Sequence, residues 1–175
     1  MGKVKTIPNF LTLIRIFLLP FVVFSIISKQ FFVALVLFVL SAVTDFLDGY
    51  IARKQKSITS LGMLLDPVAD KLLTSSTLIS LAYVKLCDPY SVIAIVGREE
   101  AVTGMRAIAA SRGLVIPASK GGKIKTTLIM ISIILLLSGL KNVGEVFLIV
   151  SAVVALYTGF VYFVRFFKSF GEEDD

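Results

Sequence analysis

The chain has 175 residues, 57% of them hydrophobic and only 17% charged, with a net charge of +6 and a mean hydropathy of +0.92. A soluble domain carries about 25% charged residues, so this composition points away from one and towards a polytopic membrane protein. The lone cysteine excludes a disulfide framework, and the absence of histidine excludes imidazole acid–base chemistry, Ser-His-Asp triads and histidine metal sites, leaving carboxylates, Lys/Arg, hydroxyls or a hard metal ion.

Six apolar segments can be read in chain order, each about 20 residues, enough to cross a hydrocarbon core of roughly 30 Å. The first follows "IPNF", where Pro8 and Asn9 form a helix start signal, and runs from about residue 8 to 28. The second runs from about 31 to 53, the third from 61 to 86 and the fourth from 89 to 112. After the connection "GLVIPASKGG" come the fifth, from about 123 to 140, and the sixth, from about 144 to 167, before the acidic tail "GEEDD". No cleavable signal peptide is expected, since the first apolar stretch is long and lacks a small-residue cleavage site. The connections are short and no composition break occurs. The predicted architecture is an all-α bundle of six transmembrane helices, residues 1–175 forming one domain.

Lysine and arginine set the orientation. With the N terminus inside, the cytoplasmic ends carry Lys3, Lys5, Arg53, Lys54, Lys56, Arg112, Lys120, Lys123, Lys125, Arg165 and Lys168, while the opposite ends carry only Lys29, Lys85 and Lys141. Both termini are therefore expected in the cytoplasm. The basic residues are scattered between apolar spans rather than gathered in a stripe, which argues for contact with anionic lipid and against nucleic acid.

Four aspartates interrupt the second and third segments. Asp45, Asp48, Gly49 and Ala52 are spaced i, i+3, i+4, i+7, and Gly62, Asp66 and Asp70 are spaced i, i+4, i+8, one helical face each. Consecutive antiparallel helices bring all four acids to a similar level below the cytoplasmic surface. A carboxylate facing lipid at the bilayer centre costs about 2.5–3.5 kcal/mol, and unpaired acids facing each other repel. A dication solves both problems, and an oxygen-only donor set suits Mg²⁺, Mn²⁺ or Ca²⁺. Four carboxylates can neutralise two such ions, the count used in two-metal phosphoryl chemistry. The small residues on these faces read either as close helix packing or as a slot in which a flat ligand approaches backbone. Arg53 reads as an interfacial anchor or a phosphate clamp.

Together these residues spell D-x2-D-G-x2-A-R-x8-G-x3-D-x3-D from Asp45 to Asp70. The pattern resembles the signature of the CDP-alcohol phosphotransferases, integral membrane enzymes that make phospholipids. "PNFLTLIR" near the N terminus, "GRE" at 97–99 and "GKIKTT" at 122–127 resemble the bacterial branch that uses glycerol 3-phosphate, although "REEAVTGMR" departs from the form expected there. The resemblance implies transfer of the phosphatidyl group from CDP-diacylglycerol to sn-glycerol 3-phosphate, releasing CMP, at the cytoplasmic face of the cell membrane.

It also implies site roles. Asp45, Asp48, Asp66 and Asp70 would hold two Mg²⁺ (or Mn²⁺) ions, with Asp70 also the general base on the acceptor hydroxyl. Asp45, Gly49, Ala52, Arg53 and Gly62 would line the cytidine diphosphate slot. A phosphate-bearing acceptor needs cations outside the metal cluster, for which Arg106, Arg112, Lys123 and Lys125, with Thr126, are the candidates. Asn9, Thr12 and Arg15, spaced i, i+3, i+6, and Arg98 are further candidates; Glu99 is not one, a buried Arg98–Glu99 pair being readable as helix glue. The resemblance further implies a homodimer, for which "ALYTGFVYF" offers interface or lipid-facing residues. Rival readings are a sister enzyme using inositol phosphate or serine, and a divalent-cation transporter. Against a transporter, the acids cluster near one face instead of marking a path across. Asp-rich polyprenyl-transferase sites use a DDxxD-like spacing that this run lacks.

Overall fold

The computed structural model describes residues 7–55, 60–113 and 120–171, and within them all side chains except those of 7–11, 45–55, 60–64, 66, 120, 123 and 169–171. Six α-helices and no strand make up the described residues: α1 Ile7–Ile27, α2 Phe31–Gln55, α3 Ser60–Tyr83, α4 Pro89–Ser111, α5 Lys120–Leu137 and α6 Lys141–Gly171. Each bound lies within four residues of the expected one.

The connections show why the helices stop where they do. After α1 the N–H of Lys29 donates to the Ile26 carbonyl and that of Gln30 to the Ser25 carbonyl, with Lys29 at φ 60. The same pair recurs after α3, from Lys85 to Ala82 and Leu86 to Leu81, with Lys85 at φ 59. These are Schellman closures in which lysine takes the left-handed position that glycine usually fills. A side chain there costs roughly 1–2 kcal/mol. Gly139, at φ 88, occupies the turn between α5 and α6 without that cost.

The chain divides into two compact units, the first comprising Met1–Cys87 with Leu136–Lys141 and the second Asp88–Leu135 with Asn142–Asp175. In the first, α1 packs against both α2 and α3, around buried Val22, Ile26, Phe38, Leu73, Leu78 and Leu81. Buried Ala34 and Ala69 keep side-chain bulk low, as close approach of helices in lipid requires. In the second unit α4, α5 and α6 enclose Val92, Ile95, Ile129, Ile133, Leu148 and Ala155. The Ser132 hydroxyl on α5 donates to the Gly144 carbonyl on α6 at 2.9 Å. Other hydroxyls turn back onto their own helix, as Ser41 does to Leu37, Ser80 to Ser76 and Ser151 to Phe147, so their burial leaves no open donor.

Many large apolar side chains are exposed among the described residues. Phe17, Phe24 and Phe32 are exposed, as are Val153, Leu156, Tyr157, Phe160, Phe163 and Phe167 along α6. Apolar surface this extensive is not tolerated in water and is consistent with lipid surroundings. Among the described residues one stretch, Lys141–Lys168, is long and apolar enough to cross a bilayer, with mean hydropathy 2.3; Thr12–Ile27, Phe31–Thr44 and Ile124–Leu137 are shorter apolar helical stretches.

α4 begins with a strong cap. Asp88 accepts from the Ser91 backbone N–H at 2.8 Å and from its hydroxyl at 2.8 Å, and Pro89 at the first helical position has no N–H to leave unpaired. The Ser91 backbone bond, and then its hydroxyl, hold the Asp88 carboxyl below its ordinary value. A depressed folded value stabilises the fold above the ordinary carboxylate range, and the benefit disappears as pH falls through the folded value. Asp88→Ala is therefore expected to lower the melting temperature at neutral pH. Thermal scans in detergent should show the gap to wild type closing as the pH is brought below 4, roughly the unperturbed aspartate value.

Candidate functional site

The aspartate motif lies on α2 and α3 of the first unit. α2 runs unbroken to Gln55 and α3 starts at Ser60, so positions 45, 48, 49 and 52, and 62, 66 and 70, keep helical spacing as expected. The side chains of Asp45, Asp48, Ala52, Arg53 and Asp66, and the surroundings of Gly49 and Gly62, lie outside the described residues, as do the side chains of Asn9 and Lys123. Asp70 is described. It is half-buried on α3, with Ala69 and Leu73 buried beside it in the sequence, and its carbonyl receives the Thr74 hydroxyl at 3.0 Å.

Thr12 and Arg15 of α1, which packs on α3, are completely buried, at 0% and 1% exposure. A guanidinium taken out of water must be hydrogen-bonded or charge-paired, so Arg15 is no interfacial anchor.

Among the described residues no three potential metal ligands come together, three of the four aspartate side chains being outside that set. The donor chemistry nevertheless fits a hard cation: carboxylate oxygens on two consecutive helices, in a chain without histidine.

The second unit holds a charged cluster in otherwise apolar surroundings. Oε1 of Glu99 accepts from Nη1 of Arg98 at 2.8 Å and from Nζ of Lys125, an ion pair that ties α4 to α5. Arg98 also reaches α6, donating from Nε to the Ala155 carbonyl at 3.2 Å and from Nη2 to the Thr158 hydroxyl at 3.2 Å. All three charged side chains are shielded, with exposures of 10% for Arg98, 19% for Glu99 and 5% for Lys125. Gly159 makes room for the arrangement, since a Cβ there would lie 2.8 Å from Cγ of Arg98. Beside it, an apolar groove of about 350 Å³ runs between α4 and α6, lined by Ala101, Val102, Met105, Leu156, Gly159, Phe160 and Phe163 with Arg98.

The remaining cations and hydroxyls expected to contact an acceptor phosphate are placed differently. Arg106 lies with Cζ 5.4 Å from the Tyr162 ring centroid, a cation–π contact. Arg112 is the exposed C-cap of α4. The Thr126 hydroxyl turns back to the Gly122 carbonyl at 3.1 Å. Glu99, rejected as a site residue on sequence grounds, is the centre of the cluster. The buried Arg98–Glu99 pair read from the sequence is present, and Lys125 of α5 is the partner that reading did not include. Within "ALYTGFVYF", Ala155, Thr158 and Tyr162 are buried in the unit, while Leu156, Tyr157, Phe160 and Phe163 face outward.

Comparison with known proteins adds independent findings. The model of the CDP-alcohol phosphatidyltransferase family matches residues 5–158. A CDP-diacylglycerol–glycerol-3-phosphate 3-phosphatidyltransferase from Rickettsia felis is 36% identical over 170 residues, covering 91% of this chain and 94% of the relative. A Bacillus subtilis protein of the same name is 41% identical over 137 residues, 69% of this chain and 70% of its own length. One from Mycoplasma pneumoniae is 35% identical over 152 residues, 75% and 67%.

Proposed function

The chain belongs to the CDP-alcohol phosphatidyltransferase family, and on that premise we propose that it transfers the phosphatidyl group of CDP-diacylglycerol to sn-glycerol 3-phosphate, forming phosphatidylglycerophosphate and CMP. The observation that carries this reading is the match, over about nine tenths of both chains, to a relative whose name states that donor and acceptor. The protein is thus an enzyme of phospholipid biosynthesis.

In this reading the whole chain acts as one catalytic domain, the family match running through both compact units. The six helices each cross the membrane. The shortest, α5 with 18 residues, is about 27 Å long at 1.5 Å per residue. Both termini and the catalytic residues face the cytoplasm, as the lysine and arginine distribution supports. Lys29 and Lys85 sit on tight turns and Lys141 starts α6, the few cations assigned to the opposite side. The protein acts in the cell membrane as a homodimer, on the strength of the family resemblance.

The donor's acyl chains stay in lipid while its nucleotide enters from water, which suits acids sunk just below the surface. Asp45, Asp48 and Asp66, with Asp70, would hold two Mg²⁺ or Mn²⁺ ions. Those ions, when bound, neutralise the pyrophosphate and the departing CMP. Gly49, Ala52 and Gly62 leave space for the cytidine diphosphate, and Arg53 clamps its phosphate. The Asp70 carboxylate takes the proton of the acceptor hydroxyl. The acceptor oxygen then bonds to the phosphorus carrying diacylglycerol, and the bond from that phosphorus to CMP breaks. Arg106, Arg112, Lys123 and Lys125, helped by Thr126, hold the acceptor's own phosphate. Asn9, Thr12, Arg15 and Arg98 support the site from α1 and α4.

The test is CMP release by purified protein in detergent with CDP-diacylglycerol, Mg²⁺ and each of three acceptors. Glycerol 3-phosphate alone is expected to give CMP. Release with only inositol phosphate or serine would keep the chemistry and overturn the acceptor. Silence with all three, together with metal uptake into liposomes containing the protein, would favour a cation transporter.

A further inference from the structure

Arg15 is 1% exposed, on the packed face of α1. That helix buries Thr12, Arg15, Val22 and Ile26 along one stripe and leaves Leu13, Phe17, Phe21 and Phe24 exposed on the other side. Arg15 thus shares the face with which α1 packs on α2 and α3. A charge taken out of water calls for a counter-charge. The unit that holds α1 carries four acidic residues, Asp45, Asp48, Asp66 and Asp70, and no other in Met1–Cys87 or Leu136–Lys141.

The hairpin of α1 and α2 picks out one of the four. α1 ends at Ile27 and α2 begins at Phe31, and so short a connection sets the two helices antiparallel, side by side. Arg15 lies 12 positions before Ile27, and Asp45 lies 14 positions after Phe31. At a rise of 1.5 Å per residue, the two stand about 18 and about 21 Å from the shared turn. Thr12 falls at about 22 Å on the same scale, so Thr12 and Arg15 bracket the level of Asp45. The face agrees with the level. α2 buries Ala34, Phe38 and Ser41, and positions 45 and 48 continue that series at i+11 and i+14. Asp48 lies one turn further from the hairpin.

We infer that Arg15 is a positioning residue of the aspartate site, its guanidinium holding the Asp45 carboxylate in place for a divalent cation. This deepens, and rests on, the reading of Asp45 as a metal ligand. A carboxylate has lone pairs enough to accept from a guanidinium and still ligate a cation, and ligating side chains are generally oriented by such outer hydrogen bonds. Arg15 touches neither substrate nor metal. It acts through Asp45, so its effect belongs in metal affinity before any substrate is present.

The experiment is a Mg²⁺ titration of metal-stripped full-length protein in detergent, without substrates, read as the rise in melting temperature. Arg15→Lys keeps the charge but loses the planar fork, and is expected to move the Mg²⁺ midpoint about 10–100-fold higher, the scale of a lost outer hydrogen bond to a metal ligand. The double variant with Asp45→Asn should be no worse than Asp45→Asn alone, because the two residues act as one unit. Phe38→Leu, a packing change in the same α2 stripe, is expected to lower the melting temperature without moving the midpoint. An unchanged midpoint in Arg15→Lys, an equal shift in Phe38→Leu, or effects that multiply in the double variant would each overturn the assignment. So would a lower midpoint, which would show Arg15 merely competing with the cation. If Arg15→Lys does not accumulate as folded protein, the metal-free melting temperatures of two other variants carry the test. Asp45→Asn should melt below wild type, because it leaves the buried guanidinium without its carboxylate. Asp48→Asn should melt no lower than wild type, because it only relieves repulsion. The reverse order would overturn the pairing. A wild-type protein that shows no Mg²⁺-dependent shift overturns the parent reading and this one with it, an outcome distinct from a failure confined to the variants.

Discussion

Asp70→Asn is expected to leave a folded protein that releases CMP about 10²–10⁴-fold more slowly than wild type, the range that general-base catalysis supplies. The substitution is nearly isosteric. It keeps a polar group at the half-buried position on α3 between buried Ala69 and Leu73, and leaves the bond from the Thr74 hydroxyl to the backbone carbonyl of residue 70 untouched. What it removes is the ability to accept a proton and one negative charge. Single-turnover CMP release at saturating acceptor measures the effect on chemistry, and Glu145→Gln, at the start of α6, controls for loss of a carboxylate elsewhere. A variant that keeps more than a tenth of wild-type turnover at saturating Mg²⁺ would show that the proton leaves by another route.

Metal removal is the second large effect. Dialysis against EDTA is expected to abolish CMP release, and Mg²⁺ or Mn²⁺ to restore it. The argument is electrostatic. If the carboxylates spaced along α2 and α3 gather as proposed, they repel one another when nothing positive offsets them, and in largely apolar helices an unpaired charge is costly. A divalent ion that binds the folded state stabilises it by about 2.7 kcal/mol at one hundred times its dissociation constant. Mg²⁺ should therefore raise the melting temperature of the EDTA-treated protein as well as its activity. Asp45→Asn, Asp48→Asn and Asp66→Asn should each shift the metal titration to higher concentration. Activity that persists in EDTA, with no metal-dependent thermal shift, would remove these aspartates from the role of ligands.

Much of this was legible from residue order. Long apolar runs punctuated by Asp88–Pro89 or by short polar connections locate six helices, because a backbone surrounded by lipid has to satisfy its own hydrogen bonds within each segment. Where the expected bounds drift, a local cause can be named. α3 was expected to continue to residue 86 but ends at Tyr83. The apolar Val84 and Leu86 disguise a stop at which Lys85, not glycine, takes the positive φ. α6 begins at Lys141 rather than near 144 because the turn at Gly139 closes within a few residues.

By itself, the sequence determined the chemistry available to this protein. Helical spacing alone aligns the aspartates along α2 and α3, and the absence of histidine restricts any metal to oxygen ligands. Tertiary structure decided which basic residues are interfacial and which are held inside. Lys125 meets Glu99 across 26 positions, and Arg98 meets Ala155 and Thr158 across 57 and 60. Helical periodicity carries information over one or two turns, and no such pattern reports a contact between helices that far apart in the chain. The pairing of Glu99 with its two cations, and the need for glycine at 159, arise only when α4, α5 and α6 pack, because only packing removes the water that would otherwise solvate each charge separately.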